Sequence, residues 1–332
     1  MPPQGNPPCS CTVPLFSPCA AASAGLRGNV RLVKIHPVLR PVLALAGAAF
    51  AVLLLASVPL MLTVSPAGDG LALHLDAFPR VAFEYTRGLW SGESLVYRRG
   101  GTDVSFLQVT LHTFPTSLLY AGGACLATIL LGTLLGTWLG AAKRQHVQDL
   151  LGALGAVPDF VLVLLLQILV VAFYQSTGVR LARVASIARD EPALLLPLLV
   201  LSLIPTAYLL KGVSTTTREI IGRDFVTAAK ARGLGRFQVL RRHVLPHAVL
   251  HGQASAAKVA ALLVGNLFIV EYLFNIPGVT GVLFEYAYRG FYREYQPQLV
   301  VNSLIAIIAL YAILLLLTHV LAAALMKVSG RG

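Results

Sequence analysis

The chain is 332 residues long and 56% hydrophobic with only 12% charged residues, yet 26 Lys+Arg against 14 Asp+Glu leave a formal net charge of +12. So few charges cannot cover a soluble protein of this length, where about a quarter of residues are normally charged, and so much apolar side chain excludes disorder over most of the chain. A basic excess on an apolar chain points to a membrane protein with its cations in the loops; a nucleic-acid binder would be basic without long apolar runs.

Residues 1–29, rich in Pro, Ser, Ala and Cys, read as a disordered tail, either a solvated extension or sequence upstream of the true translation start. Cys9 and Cys11 lack His partners at zinc spacing, and no apolar run precedes Cys19, so neither metal binding nor lipidation is favoured. Crossing about 30 Å of hydrocarbon takes about 20 apolar residues. Six runs qualify: Val38 to Thr63, His112 to Ala142, Leu150 to Tyr174, Pro192 to Leu210, Val259 to Ile276 and Gln298 to Met326. The first is too long for a signal peptide and is taken as a retained helix. The expected organisation is an N-terminal segment and first span over 30–63, an extracytoplasmic loop over 64–105, and a core over 106–328 with five further spans. With the N-terminus inside, 17 of the 26 basic residues fall on the inner side, which places both termini in the cytoplasm. The expected class is an all-α polytopic membrane protein.

One inner loop, 211–246, differs from the rest. Nine basic residues lie between Lys211 and Lys258. Asp224 is positioned to cap a helix starting at Phe225, which puts Phe225, Ala228, Ala229 and Arg232 on one face and ends at Gly233. A second helix is expected from Arg236, with Phe237, Leu240 and Val244 on one face, and Pro246 marks entry to the fifth span. Such a helix of small residues either fits a groove on a partner protein or rests on anionic headgroups.

The spacing of this loop resembles the signature of ABC-importer permeases: Glu-Ala-Ala, three residues, Gly, nine residues, then Ile-x-Leu-Pro. Thr227, Ala228 and Ala229 take the first three places, Gly233 the glycine, and His243, Val244, Leu245 and Pro246 the close. Thr227 and His243 depart from the Glu and Ile of the pattern. The wording around Asp224, Phe225 and Leu234 is similar to the dipeptide/oligopeptide/nickel branch. A second segment, with Glu271, Phe274, Pro277, Gly278 and Gly281, resembles the family's Glu-x-x-Phe-x-x-Pro-Gly-x-Gly motif. The resemblance covers about residues 30–328 and extends to Val157 to Phe160, Lys211, and the outer loop around Leu89 to Leu95.

The resemblance implies the type I importer permease fold with six transmembrane helices and a cytoplasmic coupling helix, in a bacterial or archaeal plasma membrane. It implies a second homologous permease subunit, two ATPase subunits and an extracytoplasmic binding protein as partners. ATP and Mg would sit on the ATPase subunits; this chain has no phosphate-binding loop of its own. The coupling residues would be Asp224, Phe225, Thr227, Ala228, Ala229, Arg232, Gly233, Leu234, Leu245 and Pro246, with Ala228, Ala229 and Gly233 allowing close approach. Arg232, Arg236, Arg241 and Arg242 would pair with the ATPase or with lipid.

In the spans, Glu271 either lines a path or outer gate with Phe274, Pro277, Gly278 and Asn266, or is a buried structural acid. Asp159 is expected as an interfacial group at the inner end of the third span. Gln167, Asn266 and Asn302 either touch a passing solute or tie helices together. Gly132, Gly136 and Gly140 form a close-packing face, and Cys125 is a small packing residue. A secondary transporter is the rival class, but Glu271 is its only well-embedded carboxylate and no internal repeat is evident. His112, His319 and Cys125 are too scattered for an embedded enzyme. Peptide, nickel and other small solutes remain open as substrate.

Overall fold

The computed structural model describes residues 39–64, 71–99, 101–142, 147, 150, 157–186, 193–284 and 295–329. The chain divides into two units, 1–46 and 47–332. Of the first, only residues 39–46 in helix α1 (Leu39–Met61) are described; the expected tail with its three cysteines lies outside the described residues.

The expected outer loop is built from regular elements. Strands β1 (Leu62–Val64) and β2 (Leu71–Leu73) pair antiparallel. Helix α2 (Ala77–Ser91) buries Val81 and Tyr85 and ends at Gly92, whose φ of 84° is a left-handed cap. A hairpin follows, β3 (Val96–Arg99) with β4 (Thr102–Ser105), in register from Val96↔Ser105 to Arg99↔Thr102.

The membrane part is helical: α3 (Phe106–Ala141), α4 (Asp159–Thr177), α5 (Leu195–Ile221), then the connecting helices α6 (Asp224–Ala231) and α7 (Arg236–Val239). A π-turn at Leu240–Val244 leads into α8 (Leu245–Ala254), followed by α9 (Ala256–Leu273), the short α10 (Val279–Val282) and α11 (Pro297–Val328). Among the described residues five helices, α3, α4, α5, α9 and α11, are long and apolar enough to cross a membrane, and a shorter apolar stretch, Leu45–Met61, lies in α1.

One span boundary differs from expectation. Span three was expected from Leu150; residues 151–156 lie outside the described residues, and α4 is described from Asp159, directly after Pro158. Span four was expected to end at Leu210, but α5 runs on to Ile221, because Val213, Ser214, Thr217 and Ile220 remain buried beyond the apolar run.

Helix directions follow from pairwise contacts. A Cβ at Gly132 would meet Leu209 at 2.9 Å, one at Gly136 would meet Val213 at 2.9 Å, and one at Gly140 would meet the Ser214 carbonyl at 2.6 Å. Higher up, Thr206 Oγ1 donates to Thr128 Oγ1 at 3.3 Å. Rising numbers on α3 meet rising numbers on α5, so the two run parallel in tight contact through small residues. Gly122 of α3 faces Leu317 of α11 while Phe106 clusters with Leu299, so α11 runs the same way. Helices α8 and α9 run against α3: Ser117 meets Glu271, and Gly252 faces Thr133. Parallel α3 and α5 require an opposite crossing between them, which α4 supplies. The central core, including Tyr120, Ile129, Leu201, Leu209, Leu263 and Leu267, sits where α3, α5 and α9 meet.

Candidate functional site

The loop expected to carry the function is a rigid knuckle. Helix α6 turns Val226 (0% exposed) and Ala229 (5%) inward, where they meet Ile220 of α5, Val239 of α7 and Val244 of the π-turn. Leu234 packs at the edge of this pad. Each buried Val or Ile contributes about 1.5–3 kcal/mol relative to exposure, enough to hold so short a helix that would not persist alone. Gly233 has φ of 80° and its N–H donates to the Lys230 carbonyl at 2.9 Å, the left-handed stop expected of it.

Several residues take other roles than expected. Asp224 is the first residue of α6, after the extended Arg223, and makes no side-chain capping bond. The expected face is split by burial: Phe225, Ala228 and Arg232 are exposed while Ala229 is buried, so Ala229 fixes the knuckle and the other three stay on its surface, as does Thr227. On the second helix Phe237 is 73% exposed while Val239 and Val244 are buried, because the π-turn rotates the face. Leu245 is half-buried and Pro246 buried at the start of α8. Arg236, Arg241 and Arg242 are exposed. Sequence reasoning missed Ile220, Val226 and Val239 as the pad; Val226 and Ala229 at i, i+3 were the available signal. It also missed Arg218, whose Nε and Nη2 are buried on α5 with no hydrogen-bond partner, and His247, whose ring lies 5.8 Å from that of Phe225.

The second motif folds around Glu271, which is 2% exposed. Ser117 Oγ donates to Glu271 Oε1 at 2.5 Å, and Thr280 donates to Oε2 from its N–H at 3.0 Å and also from its hydroxyl. Ser117 Oγ in turn accepts the Val279 N–H at 2.9 Å, and Ile276 N donates to the Glu271 carbonyl at 2.9 Å. The carboxyl thus folds the chain after α9 back on itself and ties it to α3, the structural alternative for this acid. Phe274 is fully buried and Pro277 exposed. Asn275 has φ of 52°, and its Nδ2 donates to Ser186 O at 3.1 Å. Gln167 Nε2 ties α4 to Val184 O at 3.2 Å and Leu273 O at 3.4 Å. Asn302 accepts from Tyr85 Oη at 2.8 Å and donates to Ser94 O at 2.6 Å, so Gln167 and Asn302 are ties. Asn266 lines a cleft together with Asp159. Among the described residues no cluster of His, Cys, Asp or Glu is set to hold a metal.

The chain thus combines a helical membrane bundle with a packed connecting knuckle and a latched segment after α9. Residues 125–328 match the family described as binding-protein-dependent transport system inner membrane component, and the chain belongs to that family. It is 26% identical over 206 residues to the dipeptide transport system permease protein DppB of Bacillus subtilis (strain 168), covering 60% of this chain and 64% of that one. It is 24% identical over 196 residues to the protein of the same name from Lactococcus lactis subsp. cremoris (strain MG1363), 57% of this chain and 60% of that one. With a putative peptide permease protein of Brucella ovis it shares 30% identity over 180 residues, 50% and 54% of the two chains. The chain thus spans less than two thirds of the length of these relatives.

Proposed function

We propose that this chain is a permease subunit of an ATP-driven, binding-protein-dependent importer that passes di- or oligopeptides by alternating access. The observation that carries the reading is the knuckle: α6 shows Thr227 and Ala228 to a partner while Val226 and Ala229 weld it to α5 and the π-turn leading into α8. A push on α6 is therefore delivered as a rigid body to the membrane helix α5 and to the π-turn and α8 that precede α9, as alternating access driven by a motor subunit requires. The nine basic residues from Lys211 to Lys258 support a cytoplasmic position for this loop. Two ATPase subunits would bind ATP and Mg there, a second related permease would complete the path, and an extracytoplasmic binding protein would deliver the solute. The names of the relatives favour peptides as that solute.

The test is co-purification followed by reconstitution. The tagged chain should retain an ATPase subunit in mild detergent, and proteoliposomes holding the complex with its binding protein should accumulate labelled dipeptide only with ATP. A chain that purifies without any ATPase, or uptake driven by an ion gradient alone, would refute the reading.

A further inference from the structure

A second carboxyl lies inside the membrane, and it differs in kind from Glu271. Asp159 opens α4, and its cleft is shared with Asn266 of α9. Both line a cleft between α4, α5 and α9 whose remaining walls are apolar, among them Leu162, Leu203, Ile204 and Ile269. The depth can be read from α9. Lys258 lies over the Tyr208 ring at 5.9 Å, and Asn266 is two turns further along the same helix, ~12 Å deeper at 1.5 Å per residue. That is well inside a hydrocarbon layer of about 30 Å, so Asp159 is not the interfacial group its place beside Pro158 suggested.

Two features distinguish this cleft from helix-tying contacts such as that of Gln167. Unlike Glu271, which is sealed by two hydroxyls and an N–H, Asp159 is only partly buried and shares the cleft with Asn266. At this depth lipid offers only methylene groups, which cannot pair with a carboxyl, and ionisable groups at such depth mark solute pathways.

From this geometry we infer that Asp159 and Asn266 form a subsite on the translocation path for a cationic group of the solute, an ammonium or guanidinium. The carboxyl supplies the charge and the amide oxygen a second acceptor. One carboxyl with one amide holds such a group loosely enough to release it, as a path requires. The inference rests on the proposed transport function, and its test is chosen to stand apart from it.

The test uses the complete complex with Cys9, Cys11 and Cys19 replaced by Ser, Cys125 by Ala, and a single cysteine introduced as Leu162→Cys on the cleft wall. Labelling rates are compared for a cationic ethylammonium and an anionic ethylsulfonate methanethiosulfonate. The expected result is a preference of about tenfold for the cationic reagent, the scale on which a charged cleft concentrates counter-ions. Asp159→Asn should abolish the preference, and Asp159→Glu should keep it. Equal rates for both reagents, or no reaction with either, would overturn the subsite. A preparation that labels with the preference but imports no peptide with ATP would instead overturn the peptide reading alone.

Discussion

Gly278 lies against the carboxyl of Glu271 so closely that a Cβ at 278 would overlap the carboxyl carbon and both of its oxygens. The glycine is needed for space, not for backbone freedom, since its φ of −109° is open to any residue. The Pro-Gly of the motif and its acid are therefore one device: the missing side chain lets the chain turn back far enough for Thr280 and Ser117 to reach Glu271.

This pairing predicts an ordered series. Glu271→Ala leaves the hydroxyls of Ser117 and Thr280 and the Thr280 N–H without an acceptor, at a cost of about 3 kcal/mol. Glu271→Gln keeps one acceptor oxygen for Thr280 and can donate to Ser117, so about 1 kcal/mol is expected. Gly278→Ala should resemble Glu271→Ala. Thermal unfolding of the solubilised chain measures all three; equal stability of the Ala and Gln variants at 271 would refute the latch.

The α3–α5 seam predicts a contrast between glycines. Gly140→Ala meets backbone, the Ser214 carbonyl at 2.6 Å, and should cost about 2 kcal/mol through overpacking. Gly265→Ala in α9 meets nothing within 4 Å and should be neutral or stabilise by up to about 1 kcal/mol from helix propensity. The same unfolding assay reads both, and a neutral Gly140→Ala would contradict the close parallel packing.

The outer elements predict an alkaline response. Tyr85 of α2 donates to Asn302 of α11, and burial pushes its phenol above the ordinary value of 10.0. The neutral phenol holds the native state, so its contribution is complete below about pH 10 and is lost as pH rises through the raised native value. Stability of the wild-type chain should fall in that range, and Tyr85→Phe should remove this part of the fall while costing about 1 kcal/mol at neutral pH. An identical alkaline profile for both proteins would contradict the role.

How much of this was legible in the sequence depends on the range of the interactions. Apolar runs of membrane length and the Ala228–Gly233 spacing are local signals, and the helices of the core and the stop at Gly233 follow them. The pad beneath α6 was not legible, because the π-turn at Leu240–Val244 shifts the buried face from Phe237 to Val239. Ser117 and Glu271 are far apart in the chain, and no pattern within either segment points to the other. The depth of Asp159 was hidden for a related reason: a residue after Pro158 reads as a helix end, and only its neighbour on α9 shows how deep that end lies. The elements between α1 and α3 leave no apolar run in the sequence, because α2 is amphipathic and the four strands beside it are three or four residues long.

Under the proposed function the outward face of α6 would take the motion of an ATPase subunit, while its inward face holds the knuckle together. Ala228 is exposed and Ala229 is 5% exposed, so a tryptophan at each separates the two roles. The decisive measurement is ATP-driven dipeptide uptake by the reconstituted complex, read beside thermal stability of the chain. Ala229→Trp should destabilise by about 1–3 kcal/mol. Ala228→Trp should unfold at the wild-type temperature yet lose at least about tenfold in uptake, the equivalent of about 1.4 kcal/mol of lost docking or coupling. Wild-type uptake by Ala228→Trp would contradict the claim.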